Sequence, residues 1–238
     1  MFWRDFKSAL GFLTVLPIGD GPPSGRVMAA FPLVGGLVGA VLVGARWAFT
    51  KLLPHPLCDV LSVGFWEWFT GGLHLDGLAD SCDALLPPMP SERRLEVLRD
   101  PHVGAFGTFG VVLVLMAKTA GFYLARDWRP IFLAPLLSKW AMVLAAVLYP
   151  SAREEGLGRR FQKDAGRREL TWASAWTVGG VALAGIPGIW AAVAVCLFTF
   201  LFARFVLRRV PGFTGDVYGA LGELSEVVAL TVEVSVGP

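Results

Sequence analysis

Seven stretches of this chain, 27–49, 57–75, 104–125, 131–149, 170–186, 187–207 and 217–236, are apolar over about the 20 residues a helix needs to cross a bilayer core. In lipid every backbone polar group must be satisfied within the segment, so such stretches fold as helices. The expected class is an all-α, polytopic membrane bundle that forms a single domain over 1–238. Composition agrees. Charged residues make up 17% of the 238 and hydrophobic ones 55%, where a soluble domain carries about a quarter charged residues. The fifth and sixth stretches are separated only by Gly185-Ile186-Pro187-Gly188, which reads as a tight turn. Cys58, Cys82 and Cys196 have no paired spacing, so neither a disulfide framework nor a zinc site is indicated.

The start lacks the pattern of a cleaved signal: Arg4, Asp5 and Lys7 are mixed with aromatics, and no small-residue cleavage site follows. Phe2, Phe6, Leu10 and Leu13 fall at helical spacing, so 1–26 is read as an interfacial segment, with packing on the bundle as the alternative. Placing the N-terminus in the cytoplasm puts 14 Lys and Arg inside. Only Lys51, Arg126 and Arg129 then fall outside. The positive-inside rule therefore gives an N-in, C-out topology in a cell (inner) membrane. Segments 76–103, 150–169 and 208–216 then share the cytoplasmic face and are expected as loops that build one active site.

The first of these begins with the richest stretch, Glu67 to Asp83. Asp76, Asp80 and Asp83 are spaced i, i+4, i+7, which keeps three carboxylates on one helical face within roughly 60°. A solvated acidic face is the plain account, but the run Val60–Leu75 before it is apolar apart from Glu67 and His74. Hard divalent cations take such clustered oxygens, and Mg²⁺ is commonly held by a few carboxylates plus substrate phosphates. Further on, Pro90 bars helix upstream, Ser91 is expected as an N-cap, and a short helix should carry Arg93 and Arg94. His102 reads as structural. The 150–169 segment, with six basic residues, reads either as a topogenic loop or as a phosphate cradle of arginine forks. Near the end, Asp216, Glu223 and Glu226 share a broad helical face. Glu223 and Glu226 lie at membrane depth, where ionisable groups need partners or an ion. Glu67, Lys118 and Lys139 need partners for the same reason.

The pattern formed by Glu67, Gly71, His74, Asp76, Gly77, Asp80 and Asp83 resembles that of the cobalamin synthase family. So do Arg94–Asp100 with the following Gly104-Ala105-Phe106-Gly107, the stretch Gly215–Glu226, and the early Phe12–Pro17. The resemblance runs from about Phe6 to Glu226. Ala84, where a Gly often follows the last Asp, and Pro101-His102 depart from the family pattern. Members of that family are adenosylcobinamide-GDP ribazoletransferases. The resemblance implies that a hydroxyl of α-ribazole, or of its 5′-phosphate, attacks the cobinamide-linked phosphorus of adenosylcobinamide-GDP and releases GMP.

Phosphoryl transfer needs charge neutralisation, alignment of the nucleophile and a proton acceptor. Asp76 and Asp80 are the expected Mg²⁺ ligands, with Asp216 or Glu223 completing the site and the number of ions, one or two, left open. Asp83 is preferred over His74 as the general base. Arg94, Asp100, Arg153, Arg159 and Arg160 are expected to hold the pyrophosphate and the leaving GMP, with Glu67, Lys139 and Glu226 behind the metal. Expected partners are these small molecules and the bilayer, without nucleic acid; a homo-oligomer or a link to other cobalamin-assembly enzymes stays open. Two other readings compete. A CDP-alcohol phosphatidyltransferase would carry Ala-Arg where this chain has Asp80. A cation-coupled transporter would place its acids near the midplane and show repeat symmetry.

Overall fold

A computed structural model describes residues 2–18 and 24–237. Among these residues all regular structure is helical. The α-helices are α1 (Phe2–Leu13), α2 (Phe31–Leu52), α3 (Leu57–Phe69), α4 (Leu73–Leu85), α5 (Ser91–Val97), α6 (Ala105–Leu124), α7 (Arg129–Leu148), α8 (Leu157–Asp164), α9 (Arg167–Ala184), α10 (Ile186–Leu207) and α11 (Gly215–Val236). A 3₁₀ segment, Gly25–Ala30, leads into α2. Four of the segments are long and apolar enough to cross a membrane: Gly25–Leu52, α6, α7 and α10. The rest fall short for visible reasons. At about 1.5 Å per residue, the 13 residues of α3 reach roughly two-thirds of a bilayer core. Helix α9 opens with Arg167, Arg168 and Glu169, and α11 carries Asp216, Glu223, Glu226 and Glu233.

Helix α7 is the hub. Fifteen of its 20 residues are buried, and it packs on α2, α11, α9 and α10. Helix α10 has the opposite character. It turns Ile186, Ile189, Trp190, Val193, Leu197 and Phe200 outward, a contiguous apolar face of the kind soluble monomers rarely leave in water. A lipid-facing role accounts for it. Leu10 and Leu13 of α1 are buried, and α1 rests on the 3₁₀ segment and α2. The hydrophobic stripe of 1–26 is therefore used at least in part for packing on the bundle.

Three local expectations are corrected. The stretch 57–75 is not one helix: α3 stops at Phe69, and Gly71 and Gly72 take φ of +71° and +65° before α4 begins. Only glycine visits that left-handed region without a steric penalty, so the Gly-Gly pair ends one helix and redirects the next. Segments 76–103 and 150–169 are largely helical rather than loops, since α4, α5, α8 and the start of α9 occupy them. Ser91 is the first helical residue, with Pro90 in the cap position and no side-chain cap bond. Gly185 does separate α9 from α10, as a single residue with φ of +74°.

Candidate active site

The end of the bundle that collects the C-termini of α4, α7 and α10 and the N-termini of α6 and α11 also holds α5 and α8. The connections there are tied together by hydrogen bonds. Ala152 donates to the carbonyl of Phe213 at 2.9 Å, and Phe213 donates to that of Pro150 at 2.8 Å. Arg153 is thereby fixed beside the start of α11, and its Nη2 reaches the Leu98 carbonyl at 3.2 Å. Segments 76–103, 150–169 and 208–216 thus meet at one place.

Helices α4 and α11 cross closely there. An added Cβ on Gly77 would lie 2.8 Å from the Asp216 carbonyl oxygen, and one on Gly219 would lie 3.1 Å from the His74 backbone. A side chain at either position would wedge the helices apart. The bare backbone lets Asp76 and Asp80 of α4 approach Asp216 of α11. Thr214 caps α11 by accepting from the Val217 amide at 3.3 Å, and its hydroxyl donates to Asp216 Oδ2 at 3.2 Å. Asp76 is exposed, while Asp80 and Asp216 are half-buried.

Burial, followed by the charges of Asp76, Asp216, Asp83 and Asp100, pushes the Asp80 carboxyl up to about 6. Burial also raises Asp216, against the pull of Arg153. Carboxylates drawn together with so little compensating charge form a hard-oxygen donor set with a deficit that a divalent cation would fill. Their oxygens are not gathered tightly. Among the described residues, the trios that close to within 4.8 Å are Glu67/Glu223/Glu226 and His55/Cys58/Asp59. An ion at Asp76, Asp80 and Asp216 would use one or two carboxylates each way, as Mg²⁺ does when phosphate oxygens and water complete its shell. The other trios are already committed. Arg46 Nε bonds Asp59 at 2.9 Å, and lysines hold the glutamates.

Several of the expected site residues have other partners in this geometry. Asp83 accepts the Gly104 amide at 2.6 Å on Oδ2 and the Gly107 amide at 2.9 Å on Oδ1. It therefore caps the N-terminus of α6, with both oxygens engaged. Glu223 lies two turns deeper on α11 than Asp216, about 10 Å along the axis. Its Oε2 is 2.6 Å from Lys118 Nζ, so it belongs to a buried ion cluster rather than to the aspartate group. The same ammonium lies 2.6 Å from Glu67 and from Glu226 Oε2, and Lys139 reaches Glu226 at 3.2 Å. Arg94 is buried and donates to the Ala84 carbonyl at 2.6 Å. It stabilises the C-terminus of α4, where a cation complements the helix dipole. Arg159 and Arg160 stand exposed on α8. Asp100 is exposed, and its contact with the His102 ring at 2.6 Å, together with the His102 amide that it accepts at 3.0 Å, holds its carboxyl below the usual range.

Sequence reasoning missed other contributors. Arg209, counted only as a topogenic charge, donates to the Leu85 carbonyl at 3.0 Å beside Arg94. Lys118, noted only as needing a partner, is the hub of the buried cluster. Phe12, Phe31, Phe161 and Tyr218 wall a cavity of about 80 Å³ that Asp76, Asp216 and His74 also line. Of that wall, Phe12 and Tyr218 lie in stretches that the sequence had singled out, while Phe31 and Phe161 do not.

Comparison with known proteins finds one family over nearly the whole chain. The family described as cobalamin-5-phosphate synthase matches residues 5–234. The chain belongs to that family. Similar relatives include the adenosylcobinamide-GDP ribazoletransferases of Geotalea daltonii (38% identical, covering 98% of each chain) and Roseiflexus sp. (37%, covering 96% of this chain and 90% of the relative). That of Herpetosiphon aurantiacus is 37% identical, covering 96% and 95%. No solved structure matches. Two of the stretches that carried the resemblance, Glu67–Asp83 and Gly215–Glu226, meet where α4 crosses α11.

Proposed function

We propose that this protein is a multi-pass membrane phosphotransferase that joins α-ribazole, or its 5′-phosphate, to adenosylcobinamide-GDP with release of GMP. The observation that carries the reading is the convergence of Asp76, Asp80 and Asp216 with Arg153 at one end of the bundle, in a chain whose relatives bear the ribazoletransferase name. Asp76, Asp80 and Asp216 would hold Mg²⁺, which when bound supplies charge neutralisation at the phosphates. Arg153 Nε is buried without a partner, so its guanidinium has a free edge for a phosphate oxygen, the geometry arginine favours. The half-buried start of α11 adds the positive end of a helix dipole to the same place.

The proton of the attacking hydroxyl goes to His74 or to a site carboxylate. Asp83 is the weaker acceptor because both of its oxygens already take backbone amides. Arg159 and Arg160, exposed on α8, are placed to meet the leaving GMP from solvent. Arg94 acts by holding the end of α4, and Asp100 by adding negative charge beside Asp80. Seven crossings with the site end in the cytoplasm complete the proposal. They use 57–75, which is α3 and the first residues of α4, as one broken crossing that leaves Asp76, Asp80 and Asp83 beyond its cytoplasmic end, and the excess of Lys and Arg at the site end supports the orientation.

The test is GMP release from adenosylcobinamide-GDP by purified membranes supplied with α-ribazole and Mg²⁺. GMP appearing only when all three are present is expected, and no release from the complete mixture overturns the reading. Reporters fused after Arg99, Lys163 or Arg209 should read cytoplasmic, and one after Arg129 external. An external signal at Lys163 would break the topology.

A further inference from the structure

The small cavity beside Asp76 has a chemistry the phosphate-handling groups leave unused. Phe12 and Phe161 meet edge to face with centroids 5.1 Å apart, Phe31 and Phe161 at 5.6 Å, and Phe12 stacks on Phe31 at 6.2 Å. These three rings form one aromatic wall. Opposite them, on the crossing of α4 and α11, His74 and Tyr218 are 4% and 3% exposed. The His74 Nε2 and Tyr218 hydroxyl are both buried without a hydrogen-bond partner. Buried polar groups are rarely left unpaired, and each that is calls for a water or a ligand. Two such atoms in a single aromatic pocket, within reach of the proposed reacting centre, call for a flat ligand with very few polar atoms.

We infer that this cavity receives the base of the acceptor nucleoside, with Tyr218 and His74 as its two polar contacts and Phe12, Phe31 and Phe161 as its stacking surface. The inference rests on the proposed function and names which of the two substrates fills this space. A benzimidazole base has one free ring nitrogen and no exocyclic donors. Tyr218 donates its hydroxyl proton to that nitrogen, and His74 Nε2 meets a ribose hydroxyl on the side facing Asp76. Guanine, the base of the donor, would bring an amide, an amino group and a carbonyl into a pocket whose unpaired buried side-chain atoms, outside the carboxylates, are His74 Nε2 and the Tyr218 hydroxyl. Its remaining groups would be left unpaired, and sites discriminate most strongly by such unmet hydrogen bonds. Asp76 also lines a second, open groove of about 390 Å³ between α4 and α6, whose other walls are mostly apolar, so it stands at the meeting of two spaces. The enclosed volume of about 80 Å³ is smaller than a fused bicycle, so the base enters edge-on with its outer rim in the mouth beside α8.

The alternative occupant is a few ordered waters, which a polar cavity of this size accommodates. Kinetics of Tyr218→Phe and Phe161→Leu separate these readings, with folding checked by thermal stability in detergent. Tyr218→Phe removes only a hydroxyl and is expected to raise KM for α-ribazole about tenfold, the scale of one hydrogen bond to a ligand, with KM for adenosylcobinamide-GDP unchanged. Equilibrium dialysis of α-ribazole against wild type and Tyr218→Phe should show the same loss without turnover, and guanosine should fail to compete. Equal competition by guanosine, a shift in the donor's KM instead, or unchanged acceptor binding in both variants overturns the assignment. Wild type that binds α-ribazole but releases no GMP would sink the proposed reaction while leaving the pocket standing.

Discussion

Two groups of carboxylates, each gathered from distant parts of the chain, sit about two turns apart along α11 and differ in one respect. Deep in the bundle, Glu67, Glu223 and Glu226 surround Lys118 at 2.6 Å, with Lys139 behind. Trp66 adds its ring face 4.2 Å from the same ammonium. At the end of the bundle, Asp76, Asp80, Asp216 and Asp100 have no comparable cation among them; Arg153 is the main opposing charge at Asp216. The inner group sets two lysines among its three carboxylates and has the form of a strut joining α3, α6, α7 and α11. The outer group keeps its negative charge unspent at the mouth of two cavities. An unspent charge of that kind costs stability and is retained where a ligand will supply the counter-charge, which is how strained electrostatics come to mark functional sites.

The sharpest way to break this contrast is Lys118→Met. It leaves three buried carboxylates around an apolar side chain, and removing one partner of a buried ion pair costs about 3–5 kcal/mol. We expect the variant to lose most of its thermal stability in detergent. A melting temperature within a few degrees of wild type would show that the cluster is not a strut.

At the outer group the balance reverses. Asp76→Asn or Asp80→Asn relieves repulsion, so melting temperature should hold or rise in the absence of metal. GMP release should fall at least about 10²-fold, the scale of losing one electrostatic contact to a transition state. Excess Mg²⁺ should recover part of it. A near-normal rate at low Mg²⁺ would remove that residue from the metal shell.

The difference between the two groups also marks what could be read in the sequence. The i, i+4, i+7 aspartates are a local pattern, and their shared face follows from helical periodicity alone. The apolar spans of α2, α6, α7 and α10 were legible for the same reason, since hydropathy over 20 residues is a local property. The end of α3 was not, because Phe69 to Leu75 stays apolar apart from Thr70 and His74 while two glycines turn the backbone. The lysine cluster joins residues 51 and 105 positions apart, and no spacing rule reaches across such distances. The contact of Asp83 with α6 was out of reach for a related reason. Helix caps usually come from the residue just before the helix, whereas this one arrives from 21 positions away.

Asp83→Asn tests that revised role with a smaller effect. Asn keeps one acceptor oxygen and loses the other together with the charge, so one α6 amide goes unsatisfied. A loss near 1 kcal/mol, as for a removed N-cap, should appear as a modest drop in melting temperature, with a partial loss of rate through displacement of α4. Raising the pH should not restore the rate. A stable variant that is slow at neutral pH and recovers in alkali would return the general-base role to Asp83.

The smallest effect expected is one of pH, and its sign follows from the same uncompensated charge. Asp80 holds its proton up to about 6, because burial first and then Asp76, Asp216, Asp83 and Asp100 disfavour its ionised form. In the unfolded chain the carboxyl titrates near 4. The folded state therefore binds the proton more tightly, so Asp80's contribution to metal-free stability is full below the ordinary carboxylate range and fades as pH rises through about 6. A divalent cation competes with that proton. Mg²⁺ affinity should therefore climb as pH rises towards about 6 and level off about one pH unit above, while saturating Mg²⁺ should abolish the decline in melting temperature between about pH 4 and about pH 6. In Asp80→Asn both trends should flatten, because the group that titrates is gone, whereas Glu226→Gln should leave them in place, its partners being lysines rather than a missing ion. Calorimetric Mg²⁺ titrations at three pH values decide it, and an affinity independent of pH below 7 would mean that Asp80 does not meet the metal.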